Sequence, residues 1–427
     1  MAVLNKLFVM HPELTEAAGH VYTESQAWVR ACAARGVALG LFGHRDCDPA
    51  IADSLGVRRI FALTPEIVGR YMTAEERHGR QSPDIAALTD FTLRGECTRQ
   101  ACEEAWKGEG DPPDLIAFPW ADAGIMNGAA SWLTSLPPGR RPKLLFNFVR
   151  PEPGWAADAE RRTVHGDFSY FRFAARRLRA LTGPQGLAMT AVEGRLCRLI
   201  EDLAQVACPP SPLHQYYPDP MPPPVPDEDG RVRISFLGYD RDQKGGAVLD
   251  DVIAQICQVA PGARIFVQVS TRARADAISI RLGALRSSAE VFLHIGALAT
   301  DAYFQRLAQS DLTVQPYQLG AYALMPSGIF ADAAAAGVPV VTPAQTWMAD
   351  RLAEGWCAGA MFHDPSAIAA AVAAAIERLP ALKAQAGATA AAWRQAQCLD
   401  AYIDHALPRL GLESPPKPKV ARRRKSG

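Results

Sequence analysis

Nine of the eighteen residues 209–226 are proline. A run that dense can continue neither a helix nor a central strand, because proline lacks the amide donor and has a fixed φ. It cuts the 427-residue chain into two stretches. Alternating strand and helix patterns precede the run and restart after it, which predicts two α/β domains: residues 1–208, a proline-rich linker at 209–228, and residues 229–412. The tail 413–427 carries proline and basic residues but no core former, so it is expected to be disordered.

In the first stretch, short apolar runs at 7–10, 37–42, 59–63, 114–119 and 143–148 read as buried strands. The intervals between them are long enough for crossover connections. Gly19 and His20 fall where the first strand hands over to its helix. In an open parallel sheet that edge is where ligands bind, so His20 is a candidate contact for an acceptor or a sugar, beside the plainer reading of a surface or capping histidine. After the linker, runs at 232–238, 264–269, 290–294, 312–314 and 338–342 repeat the pattern, and alanine-rich helices follow from 368 to 393. The last helical segment, 390–406, is expected to return towards the first domain.

The chain is 48% hydrophobic and 21% charged, which suits a soluble globular protein with sizeable cores. Its 45 basic and 45 acidic residues balance, so the whole-chain charge gives no attraction to nucleic acid or to an anionic membrane. A basic run, Arg172, Arg176, Arg177 and Arg179, reads as a solvated helix face and leaves a peripheral membrane contact open. The nine cysteines have no C-x-x-C spacing, which argues against structural zinc or a disulfide framework and for a reducing, cytoplasmic setting. Residues 1–11 lack the pattern of a secretory signal.

Two loops carry candidate chemistry. In the first, Pro326-Ser327-Gly328 opens a helix that runs to Ala336 and is closed by Gly337, a residue suited to a left-handed C-terminal position. A Ser-Gly pair at a helix start leaves backbone N–H groups free and lets an anion approach closely. Ser327 serves equally as the N-cap of an ordinary strand-helix-strand unit. The second loop, 238–246, sets Arg241 and Lys244 just beyond a strand end. A diphosphate needs such cations, arginine as a planar fork and lysine as a point charge.

Gly19-His20, the Gly-x-x-Arg-x-x-Lys-Gly segment at 238–245, Tyr303-Phe304 leading to Asp311 and Pro316-Tyr317, and Ser327-Gly328-Ile329 leading to Gly337-x-Pro339-Val340-Val341 form a set. That set resembles the glycosyltransferases of the GT-B fold, above all the retaining group that includes bacterial hexosyl and mannosyl transferases. The resemblance implies an α/β chain of two Rossmann-like domains facing across a cleft, with the acceptor on the first and the nucleotide sugar on the second. It implies metal-independent transfer without a cofactor, with a nucleoside diphosphate sugar as donor and a carbohydrate or lipid-linked acceptor. By the same resemblance Arg241, Lys244, Ser327, Gly328 and Ile329 hold the donor diphosphate, Asp332 holds the ribose, Gly19 and His20 form the acceptor loop, and His20 is the catalytic candidate.

The chain also departs from the family pattern. Of the family's two acids eight residues apart, the second falls on Asp332, shorter than the usual glutamate, and the first on Leu324; Met325 stands where many relatives carry arginine. Three readings therefore stay open: an active glycosyltransferase, a catalytically weak or inactive relative that binds a nucleotide sugar or a protein partner, and another enzyme of the same fold such as a sugar-nucleotide epimerase or a phosphorylase. A dehydrogenase is disfavoured, because residues 9–19 contain one glycine, at their end, where a dinucleotide fingerprint needs several.

Overall fold

The computed structural model describes residues 1–17, 19–62, 83–107, 109, 111–152, 155–158, 163–226, 229–283 and 289–415. Leu63 of the predicted run 59–63, linker residues 227–228 and tail residues 416–427 lie outside the described residues. The first half contains β1 (Ala2–Val3), β2 (Lys6–Met10), β3 (Ala38–His44), β4 (Val57–Phe61), β5 (Leu115–Phe118), β6 (Lys143–Phe148), a hairpin of β7 (Ala156–Asp158) and β8 (Thr163–His165), and β9 (Leu187–Ala191). The second contains β10 (Arg233–Phe236), β11 (Arg264–Val269), β12 (Glu290–Ile295), β13 (Leu312–Val314), β14 (Val340–Pro343), β15 (Gly359–Phe362) and β16 (Leu412–Glu413).

Two six-stranded sheets result, ordered β4-β3-β2-β5-β6-β9 and β12-β11-β10-β13-β14-β15. Every pairing in them is parallel. Each reads 3-2-1-4-5-6 in its own strand sequence, the doubly wound arrangement in which the connections diverge between the first and fourth strands and leave a crevice at their carboxyl ends. Helices cover both faces, which is why the strands are near-continuous apolar runs. Along β2, Phe8 and Met10 enter one core and Leu7 and Val9 the other.

The core around Leu7 and Val9 is completed by the chain's far end. Leu399, Tyr402, Ile403 and Ala406 of the helix Leu399–Ala406 lie in it, with Leu407, Leu410 and Leu412. There β16 pairs in parallel with β1. Burial of these side chains is worth roughly 1.5–3 kcal/mol for each large one, which holds the returning segment on the first domain.

The proline-rich segment takes an extended path, touching the first sheet through an Ala191–Pro210 bridge. It is wedged between the domains. Leu213 is buried with the second domain's core, and its amide donates to Gln397 Oε1 at 3.0 Å. The basic run lies on the helix Ser169–Thr182, with Arg172, Arg176 and Arg179 exposed and Arg177 half-buried. Arg177 bonds Asn127 and Ser131, and Arg179 donates to the Ala204 carbonyl. No helix among the described residues is long and apolar enough to cross a membrane.

Candidate functional site

A cleft of about 840 Å³ lies between the two crevices and is lined from both domains. From the first domain, the helix Gly19–Arg35 starts at its rim, as the strand-to-helix handover predicts. Its second residue, His20, reaches across to the second domain. A Cβ built on Gly328 would fall 2.0 Å from His20 Cε1, so the imidazole occupies space that only a glycine leaves open. Burial, and after it the Lys244 charge, push the His20 pKa down to about 4, which leaves the ring neutral at pH 7.

From the second domain come the loops after β10 and β13. Ser327 caps the helix Gly328–Ala336, its Oγ accepting from the Phe330 amide at 3.1 Å. The first amides of a helix have no intrahelical acceptor. With the Phe330 amide taken by Ser327, those of Gly328 and Ile329 remain for an external acceptor. Lys244 closes the single 3-10 turn Asp242–Lys244. A Cβ on Gly238 would meet Ile329 Cδ1 at 2.5 Å and Lys244 Nζ at 2.8 Å, which puts the ammonium beside the helix start. Burial, then the neighbouring Arg241 charge, push the Lys244 pKa down to about 8. Among the described residues neither Arg241 nor Lys244 has an ion-pair partner, and both line the cleft. Gln268 ties the loop in place, accepting from the Gly238 amide and donating to the Gly296 carbonyl, both at 2.9 Å.

Asp332 sits one turn into the same helix, 3% exposed, on the cleft floor. One carboxylate oxygen accepts from Gln215 Nε2 at 3.0 Å and the other from the Tyr303 hydroxyl at 2.9 Å. Burial pushes its pKa up to about 7 against those two hydrogen bonds, which favour the carboxylate. The position expected to carry the first of the paired acids holds Leu324, a core residue 1% exposed. Upstream of it, residues 319–322 form the short helix Leu319–Tyr322, whose buried Tyr322 stacks on Tyr317 at 4.2 Å between centroids.

A second buried group stands behind His20, one turn along its helix. Glu24, 3% exposed, accepts from His214 Nδ1 at 2.9 Å and from the Trp120 indole at 2.9 Å, with His11 Nε2 at 3.4 Å. Burial alone would raise its pKa; His214 and His11 outweigh that and hold the carboxyl well below the usual range. His214 Nε2 faces Asn147 Nδ2 at 2.8 Å, so the ring accepts there and donates to Glu24. This group anchors the proline-rich segment to the first domain, while the adjacent Gln215 reaches Asp332 in the second. Sequence reasoning missed Glu24, Trp120, His214 and Gln215. Only Glu24 left a signal, four residues after His20 on one helix face.

The structure thus brings Gly19, His20, Arg241, Lys244, Ile329 and Asp332 to the walls of one cleft, with Ser327 and Gly328 at the helix start beneath His20. No family model matches the sequence, and no curated protein matches it. Solved structures match over almost the whole chain. HepE from Anabaena, solved in complex with UDP, is 12% identical with a TM-score of 0.56, covering 93% of this chain and 96% of its own. A glycosyltransferase from Rickettsia africae is 9% identical with a TM-score of 0.58, covering 94% and 96%. Sucrose-phosphate synthase from Thermosynechococcus elongatus is 12% identical with a TM-score of 0.58, covering 93% and 96%. The chain has the GT-B fold of these proteins, two Rossmann-like domains facing across a cleft.

Proposed function

We propose that the protein is a glycosyltransferase that takes a sugar from a nucleoside diphosphate donor seated in this cleft. The observation that carries the reading is the convergence of two cations without ion-pair partners among the described residues, Arg241 and Lys244, on the open amide end of the helix Gly328–Ala336. In this reading the amides of Gly328 and Ile329, beside the Ser327 cap, and the two cations hold the diphosphate. They stabilise the charge that grows on it as the bond from sugar C1 to phosphate oxygen breaks, a job for preorganised donors that needs no metal. The new bond forms from C1 to an acceptor hydroxyl, whose proton leaves to the departing diphosphate. Neutral His20 adds no charge and is placed to hydrogen-bond a hydroxyl of the donor sugar at the cradle. Asp332 takes the ribose by exchanging one of its present partners for a hydroxyl.

The bound nucleotides of the solved GT-B structures make UDP and UDP-glucose the first probes. Calorimetric titration with UDP and with uridine, run beside an assay for UDP released from UDP-glucose, tests the proposal. Binding of UDP with turnover supports it; no UDP binding, and none by ADP or GDP, removes it. The second reading, a protein that binds a nucleotide sugar without efficient transfer, is favoured by buried Leu324 where the family has an acid. Binding without release of UDP selects it.

A further inference from the structure

The second domain holds a further cavity, away from the interdomain cleft. It encloses about 440 Å³, a size that suits a small molecule, and among the described residues it shares no lining residue with the cleft. Arg233, Arg264 and Glu290 place it at the amino ends of β10, β11 and β12, whereas the cleft lies at the carboxyl ends. Its sheet wall is aromatic. Phe266 and Phe292 are register partners on β11 and β12, so their rings project from the same face of the sheet. Because β12 is the edge strand, Phe292 is left 49% exposed beside half-buried Phe266.

Three arginines line this cavity, and two of them are neutralised. Arg233 forks Asp311, its Nε and Nη2 each donating at 2.9 Å, and Arg264 pairs with Glu290 at 3.2 Å and with Asp229 at 2.6 Å. Arg306, on the helix Thr300–Ala308, differs. Its guanidinium carbon lies 4.3 Å from the centre of the Phe266 ring, and among the described residues the guanidinium has neither a hydrogen bond nor an ion pair. The side chain is half-buried, yet its nitrogens stay open to solvent, so a ligand in the cavity can reach them. Burial pushes its pKa down with no carboxylate beside it to hold it up.

We propose that this cavity binds a small planar aromatic carboxylate: the ring packs on Phe292, beside the guanidinium that covers Phe266, and the carboxylate accepts from the N–H groups of Arg306. A guanidinium held over an aromatic ring keeps its N–H edge free, and a carboxylate matches that edge with two parallel hydrogen bonds. One uncompensated cation suits a monoanion. The Glu290 carboxylate on the same wall opposes a doubly charged phosphate. The site is independent of the donor reading, since it uses none of the cleft's residues.

Saturation-transfer NMR titrations of the full chain with 2-naphthoate, 2-naphthamide, decahydro-2-naphthoate and 2-naphthyl phosphate test it. The naphthoate should bind about tenfold more tightly than the amide, the scale of one charge-assisted contact over a neutral one, and several-fold more tightly than the saturated acid, which cannot stack. Arg306→Gln should abolish the advantage over the amide, and Phe292→Ser should weaken naphthoate and amide alike. The Arg241→Ala, Lys244→Ala double variant should bind naphthoate as the native protein does. No binding of naphthoate, equal binding of acid and amide, preference for the phosphate, or an affinity untouched by both cavity substitutions overturns the proposal. Loss of naphthoate binding in the Arg241→Ala, Lys244→Ala variant places the ligand in the interdomain cleft and overturns it as well. If Arg306→Gln does not fold, Phe292→Ser and the native comparison of acid with amide decide.

Discussion

His20 and Gly328 meet across the interdomain cleft, the imidazole lying where a side chain at 328 would begin: a Cβ there would be 2.0 Å from His20 Cε1. Gly328→Ala should therefore push the ring out of its desolvated place without disturbing the core. The His20 pKa, about 4 in the native protein, should return towards the ordinary 6.5. NMR titration of the ring C–H protons reads this directly. An unchanged midpoint in the variant would show that the ring does not depend on the glycine.

Arg241 and Lys244 are the direct test of the donor site. Each charge-assisted contact to a diphosphate is worth about 1.5–3 kcal/mol, so Arg241→Ala and Lys244→Ala should each weaken UDP binding by roughly 10- to 150-fold and uridine binding hardly at all. Ser327→Ala should do less, since the helix amides survive it. Arg241→Ala should barely move the melting temperature, because Arg241 has no ion-pair partner among the described residues, and Lys244→Ala should not lower it, because it removes a desolvated charge. Equal losses for UDP and uridine would mean that these residues shape the pocket without reading phosphate.

Lys244 also sets a pH dependence. With its pKa down at about 8, it is charged at pH 7 and loses its proton as the pH rises above 8. UDP affinity should be flat below that point and fall by up to about tenfold per pH unit above it, until the pKa of the bound form is reached. Lys244→Arg should remove the fall, because guanidinium stays charged throughout. Calorimetry from pH 6.5 to about 9.5 gives the comparison.

Asp332 and His20 oppose each other in stability. Asp332 has its pKa raised from 3.8 to about 7, so its contribution is fully present below 3.8 and is lost as pH rises towards 7. His20 is lowered from 6.5 to about 4, so its contribution is present above 6.5 and is lost as pH falls towards 4. Asp332→Asn keeps an acceptor and removes the titration. Relative to it, the native protein should lose about 4 kcal/mol at most between pH 4 and 7. Thermal or denaturant melts of both proteins across that window check the sign; a native protein that gains on the variant as pH rises would reverse it.

The returning helix is expected to be indispensable. Ending the chain at Gln397 removes Leu399, Tyr402, Ile403, Leu407 and Leu410, each 4% exposed or less. At roughly 1.5–3 kcal/mol for each large side chain, the loss is comparable with the whole stability of a domain, about 5–15 kcal/mol. Limited proteolysis should then degrade the first domain. A truncated chain whose first domain resists protease would contradict the packing.

Much of the framework was legible from residues close in sequence. The proline density at 209–226 excludes helix, the apolar runs mark the central strands, Ser327 caps its helix, and Gly337 ends it with φ of 70°. Each follows from the geometry of one residue and its near neighbours, so a linear reading finds it. Strands β9 and β15, five and four residues long, escaped it although turn residues flank them, Gly183 to Gly186 before the first and Asp364-Pro365 after the second, because runs so short and rich in alanine and methionine carry little periodic signal, and so did β1 with β16, two residues each at opposite ends of the chain. The character of the site was settled elsewhere. That His20 rests on Gly328, that Gln215 and Tyr303 hold Asp332, and that Glu24 collects His214 and Trp120 are facts about surfaces brought together by the fold. Desolvation and charge act through space, so the neutral imidazole, the raised carboxyl and the lowered ammonium arise only when the two sheets face each other across the cleft.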